Sequence, residues 1–294
     1  MVRVNLGPPT LRLLAAAAAS AVAFGLTWLV FVRSSTGQLI DGRLLPRSEL
    51  GGGYAQDTVL LGPAARVLGR FGNPLLIGAL VLGIVVLALM IGRFRAGLAG
   101  AIVVLGSAGA AGLAKQSISR PELGVIGSST HNSFPSGHVA IAAGLLLGFL
   151  LVVPARLRWW VAVPGATGVS VIAAATMVAG WHRFSDVAGS LLLVATVFFV
   201  VASVLARWPG RRGAEDPTDN WSGFLSLAIG QTLLMMALLA IAPDAGLPLL
   251  AAIATAGGLT ILVVWAALHL IGPPEPEPDD RHDPAATPMA TSRA

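Results

Sequence analysis

Apolar runs and short polar breaks alternate along almost the whole chain, and that alternation sets the architecture. Eight runs approach or exceed the roughly 20 residues that a helix needs to cross a bilayer. They cover 13–32, 75–92, 96–114, 138–154, 159–179, 186–206, 222–243 and 248–271, with no Lys, Arg, Asp or Glu in their interiors. The predicted fold class is all-α: a polytopic membrane helical bundle. Six spans lie within 1–206, two more within 207–271, and 272–294 forms a tail. The 138–154 run is the shortest, and its helix is predicted to begin in the polar motif just before it. The first run follows Arg3 and Arg12, as a signal peptide would, but its apolar length favours an uncleaved anchor.

Composition agrees with this pattern. Hydrophobic residues make up 55% of the chain and charged residues 11%, with a mean hydropathy of +0.79. A soluble domain carries about a quarter charged residues. The chain has no cysteine, so thiolate nucleophiles, disulfides and cysteine metal sites are excluded. The net charge of +5 comes from basic residues scattered singly between apolar runs. That distribution reports topology rather than a nucleic-acid partner. A cytoplasmic N-terminus puts Arg93, Arg95, Arg156, Arg158, Arg207, Arg211 and Arg212 inside, as the positive-inside rule requires. The segments 33–74, 115–137 and 180–186, with Asp244, then face outward. The Pro-rich, acidic tail is expected to be disordered in the cytoplasm.

Polar residues are costly in such a chain, so their clustering carries information. Lys115-Gln116-Ser117-Ile118-Ser119-Arg120-Pro121 follows the third span, and Lys115 is the only lysine. Asn132-Ser133-Phe134-Pro135-Ser136-Gly137-His138 precedes the fourth. Gly180-Trp181-His182-Arg183-Phe184-Ser185-Asp186 joins the fifth to the sixth. Alternation of spans puts all three on one side of the membrane. Ser136 is a good N-cap, and Gly137 lets a helix N-terminus approach an anion closely. His138 at that mouth can donate a proton to a departing oxygen. Lys115 and Arg120 supply fixed positive charge for a phosphoryl group. His182 and Asp186, spaced i, i+4, share a face if their helix begins by Trp181. A carboxylate on one ring nitrogen leaves the other free to attack.

These clusters resemble the motifs of the type 2 phosphatidic acid phosphatase (PAP2) superfamily, its membrane lipid phosphatase branch in particular. Pro135-Ser136-Gly137-His138 is similar to the central motif, His182 with Asp186 to the end of the third, and Lys115 with Arg120-Pro121 to the first. The resemblance covers roughly 75–206 and implies a six-helix PAP2-like core, with the last two spans as an addition. It implies that His182 attacks phosphorus and forms a phosphohistidine, with Asp186 orienting it. His138 is then the acid for the leaving group, while Lys115, Arg120, Ser136 and Gly137 hold the phosphate oxygens. It implies no metal and no other cofactor.

The chain departs from the family pattern twice. The first motif usually places six residues between the lysine and its Arg-Pro pair; here Arg120-Pro121 follows after four, and Glu122-Leu123 occupies the later position. The third motif usually has an arginine six residues before its histidine, where this chain has Thr176. Arg183, Arg66 or Arg70 are candidates to supply that cation, although Arg183 is turned about 100° from His182 on a helix. His131 lies in the 115–137 loop, matches no motif, and joins Arg183 as an auxiliary candidate.

A single histidine at a span start is ordinarily an interfacial polar residue; the joint set is what points to chemistry. Gly100 and Gly106 are read as helix-packing residues and Gln231 as a packing contact in the seventh span. A site at the membrane surface suits a substrate with its phosphate in water and its chains in lipid. The expected partners are therefore membrane lipids and a lipid phosphate or polyprenyl diphosphate substrate, at an outward-facing site in the cell membrane. A transporter would bury charges at midplane, and the related haloperoxidases are soluble. The competing expectation is a catalytically impaired PAP2-like protein that binds lipid or assists envelope assembly, because of Thr176.

Overall fold

The computed structural model describes residues 8–44, 58–125, 131–207, 220–242 and 245–271. Among them are ten α-helices and no strand: α1 (Pro8–Thr27), α2 (Ser35–Leu44), α3 (Leu61–Phe71), α4 (Pro74–Met90), α5 (Phe94–Ser117), α6 (Gly137–Val152), α7 (Arg158–Val178), α8 (Phe184–Ala206), α9 (Asn220–Ile241) and α10 (Leu247–Leu270). All eight predicted spans are helices at the expected places. Six are long and apolar enough to cross a membrane. The pair α3–α4, bent by 59° at its break, passes the same test together, and α6 is a shorter apolar helix. The chain is a multi-pass membrane protein. The tail, Arg211, Arg212 and Asp244 lie outside the described residues.

The segment 33–74, expected only as a long outer stretch, holds α2 and α3. The first run continues past α1 as a π-turn over Trp28–Val32 before α2 begins. α3 buries Ala64 and Leu68 on one face while Arg66 and Arg70 stay exposed. α4 then starts anew: Asn73 is its N-cap, accepting from the Leu75 amide at 2.9 Å, and Pro74 occupies the first turn.

α8 is the hub, packing against α1, α5, α6 and α10. α5 and α6 meet through glycine: a Cβ on Gly100 or on Gly148 would lie 2.8 Å from the other's carbonyl oxygen. Small residues let backbones approach where lipid gives no hydrophobic drive between helices. α9 lies on the outside of α7 and α10, and Gln231 ties it to α7 through the Ala166 carbonyl (3.2 Å) and Ser170 hydroxyl (2.8 Å). At the end of the bundle away from the three polar clusters, arginines meet helix C-termini. Arg93 Nη1 donates to the Val152 carbonyl at 2.7 Å, and Arg158 Nη1 to the Ile271 carbonyl at 3.5 Å. These are the unpaired carbonyls and negative dipole ends that every helix leaves.

Candidate active site at one end of the bundle

The end of α5, the start of α6, the end of α7 and the start of α8 converge, so the three polar clusters meet. Asn132 Nδ2 donates to the Ile118 carbonyl (2.7 Å) and the Lys115 carbonyl (3.1 Å), closing the end of α5. Ser136 caps α6, its hydroxyl accepting from the Val139 amide at 3.4 Å, and its own amide donates to the Asp186 carbonyl at 3.1 Å. Ser190 Oγ sits 2.8 and 2.7 Å from the carbonyl oxygens of Ser136 and Asp186, stitching the two helix starts together.

The turn carrying His182 is a helix stop. Gly180 takes a left-handed φ of +67°, which costs a side-chain-bearing residue about 1–2 kcal/mol. The Gly180 amide then donates to Met177 and the Trp181 amide to Thr176, the paired bonds of a Schellman motif. The His182 amide also reaches the Thr176 carbonyl, at 3.2 Å. The sequence pattern expected His182 and Asp186 on one helical face, but α8 begins only at Phe184. His182 instead precedes the N-cap residue Arg183, and Asp186 folds back onto its own N-terminus.

Asp186 gathers the site. Its Oδ2 accepts from Ser133 Oγ at 2.5 Å and from the Arg183 amide at 2.9 Å. His182 Nδ1 stands 3.5 Å from the same oxygen, an ion-pair distance longer than a formed hydrogen bond. Arg120 Nη2 lies 3.4 Å from Oδ1, both side chains fully buried. A buried carboxylate is tolerable only with this many donors and a counter-charge. Arg120 keeps donors in reserve: its Nε and Nη1 have no hydrogen-bond partner among the described residues.

Residues 80–209 match the model of the PAP2 superfamily. Over that range, a little under half of the chain, it is similar to the PAP2 superfamily. No curated protein and no solved structure matches it. PAP2 proteins are in general phosphatases, and this chain has helices long and apolar enough to cross a membrane.

The other motif residues fall around the same point. His138, in the first turn of α6, is half-buried, its ring 5.6 Å from that of Trp181 and within electrostatic reach of His182 and Lys115. Gly72, at the α3–α4 break, lies against it: a Cβ there would stand 3.2 Å from His138 Nε2. Lys115 is exposed on the last turn of α5, and Gly137 opens α6. Arg183 is buried at the start of α8, while His131 is exposed in its loop. Thr176 is fully buried, and its hydroxyl donates to its own helix at Ala173, 2.8 Å away.

Three contributors were not singled out from the sequence. Ser133 sits in the polar cluster before α6, and its adjacency to the Pro-Ser-Gly-His run was the available signal. Asp41 and Gln38 come from α2, outside the matched region. Asp41 accepts from the Ser185 amide (3.1 Å) and hydroxyl (2.5 Å). Burial, and then the charge of Asp186, push its carboxyl up to about 7, against the pull of Ser185 and Arg183. No sequence signal joins residues 144 apart. Among the described residues no three His, Cys, Asp or Glu side chains are grouped as metal ligands.

Proposed function

We propose that this protein is a membrane phosphatase that removes phosphate from a lipid phosphate or polyprenyl diphosphate through a phosphohistidine on His182. The carrying observation is the arrangement around Asp186: one oxygen faces His182 Nδ1, the other faces Arg120, and the group sits at the start of a helix. With Nδ1 turned to the carboxylate, Nε2 of His182 is the free nucleophile.

In the first step Nε2 forms a bond to phosphorus and the P–O bond to the leaving group breaks. The electron pair goes to the departing oxygen, and protonated His138 supplies its proton. In the second step neutral His138 takes a proton from water, the hydroxide attacks phosphorus, and the P–N bond returns its electrons to His182. The products are inorganic phosphate and a lipid alcohol, or a lipid monophosphate from a diphosphate. Arg120 and Lys115, with the α6 N-terminus at Ser136 and Gly137, hold the non-bridging oxygens as charge develops. Arg183, buried at the start of α8, and His131, exposed in its loop, are auxiliary candidates.

The position of the site at one end of apolar helices supports a substrate anchored in lipid. The arginine pattern supports an outer-face site, and with it a polyprenyl diphosphate or another cell-envelope lipid. A cysteine at exposed Ser119, in a chain with none of its own, tests the face. Labelling by an impermeant reagent from outside is expected; labelling only after permeabilisation reverses the orientation. Phosphate release from a panel of lipid phosphates in detergent, with EDTA present, tests the reaction. Activity is expected to survive chelation, to be blocked by vanadate, and to fall roughly 10³-fold or more in His182→Ala. Thr176 favours the alternative of a catalytically impaired, lipid-binding relative. No release from any lipid by a folded protein would select that reading.

A further inference from the structure

Two side chains of α2 reach the two chain segments that carry the proposed site. Gln38 is fully buried, and its Nε2 donates to the Val32 carbonyl (2.8 Å) and to the Pro121 carbonyl (3.0 Å), the residue beside Arg120. One turn on, fully buried Asp41 takes both the amide and the hydroxyl of Ser185, the residue beside Asp186. α2 is itself fixed to the end of the first span. Ser34 Oγ donates to the Val30 carbonyl, and the Gly37 amide donates to Ser34 Oγ at 3.0 Å. A Cβ on Gly37 would overlap the Val30 carbonyl, so no side chain fits there. Phe31 meets the Phe184 ring edge-on at 6.3 Å, next to the same Ser185.

Ser185 is the second residue of α8, where an amide has no intrahelical partner. A carboxylate from another helix therefore completes the cap that Asp186 begins on the Arg183 amide. Burying a second carboxylate this close to Asp186 opposes stability. An amide or hydroxyl acceptor could cap Ser185 without adding that charge.

We infer that α2 is a positioning brace for the phosphoryl site, with Gln38 setting Arg120 through Pro121 and Asp41 setting the His182–Asp186 pair through Ser185. The inference rests on the proposed phosphatase reading, yet it concerns residues outside the matched 80–209 region. It divides labour along one helix. Gln38 acts on anion binding, and Asp41 on the nucleophile.

The test compares Gln38→Leu, Asp41→Ala and Asp41→Asn in full-length protein, with vanadate affinity read by thermal shift and kinetics read on the best lipid phosphate. Gln38→Leu is expected to raise KM and weaken vanadate binding about tenfold while kcat changes little. Asp41→Ala is expected to lower kcat about tenfold or more with vanadate binding nearly unchanged. Asp41→Asn, which keeps an acceptor for the Ser185 amide, is expected to recover most of that kcat. Equal losses of kcat and KM in all three variants, in step with loss of folded protein, overturn the brace. So do an unaltered KM and vanadate affinity in Gln38→Leu, should Asp41→Ala fail to fold. If the wild type releases no phosphate, the phosphatase reading fails, and vanadate affinity alone decides the brace. A tenfold weakening in Gln38→Leu then supports it; equal affinity, or no vanadate binding by the wild type, overturns it.

Discussion

The two ends of the bundle use the same cationic residues in opposite ways. Away from the site, Arg93 and Arg158 are spent on the last carbonyls of α6 and α10. At the site end, carbonyls at the ends of α5 and α7 are taken by neutral donors. Asn132 closes the Lys115 and Ile118 carbonyls, and the amides of Trp181 and His182 share that of Thr176. Among the described residues, Arg120 contacts Asp186 through one nitrogen and leaves Nε and Nη1 without a hydrogen-bond partner. Satisfying helix ends with uncharged groups is what frees positive charge for an anion. Thr176 belongs to this arrangement. Its carbonyl holds the His182 turn, and its hydroxyl donates back to Ala173 of its own helix.

The contrast breaks most visibly at Arg120. Arg120→Ala is expected to lower phosphate release about 10²-fold, and Arg120→Lys to restore little, because a point charge lacks the guanidinium fork. Full activity in Arg120→Ala would remove the anion-binding role. A smaller effect concerns Asp41, faced by Asp186, Arg183 and Ser185. Its folded carboxyl is pushed up to about 7, and unfolding returns it to near 4. The folded state thus holds a proton that the unfolded chain releases. That contribution to stability is complete below about pH 4 and is lost as pH rises through 7. Between pH 5 and pH 8 the Tm of the wild type should fall by roughly 2–4 °C more than that of Asp41→Asn. Parallel Tm profiles would deny the shift. The smallest functional effect belongs to the opposite end: Arg93→Ala is expected to cost about 1–2 kcal/mol of stability and leave kcat unaltered. A kcat loss there, at constant folded fraction, would blur the division between the ends.

The spans were legible because lipid forces each crossing to be apolar and helical throughout, so 75–92 and 96–114 read directly as α4 and α5. Ser136 was legible as a cap for the same local reason. α2 and α3 were not, since neither is long or apolar enough to announce itself in the pattern. Span alternation put Arg120, His138, His182 and Asp186 on one side of the membrane. The way His182 meets Asp186 did not follow from it, because the Gly180 stop delays α8 until Phe184. Asp41 was invisible: a lone carboxylate in a polar stretch gains meaning only when the fold sets it against Ser185.

The central claim is that His182 carries the phosphate during turnover. His138→Ala should hold that intermediate when given an aryl phosphate, whose leaving group departs without a donated proton while water attack still lacks its base. After an alkaline quench with EDTA present throughout, peptide mass spectrometry is expected to find phosphate on His182 and none in the His138→Ala/His182→Ala double variant. Turnover by the wild type with the phosphate mapped to another residue, or with none on His182 in the trapped variant, would contradict the account.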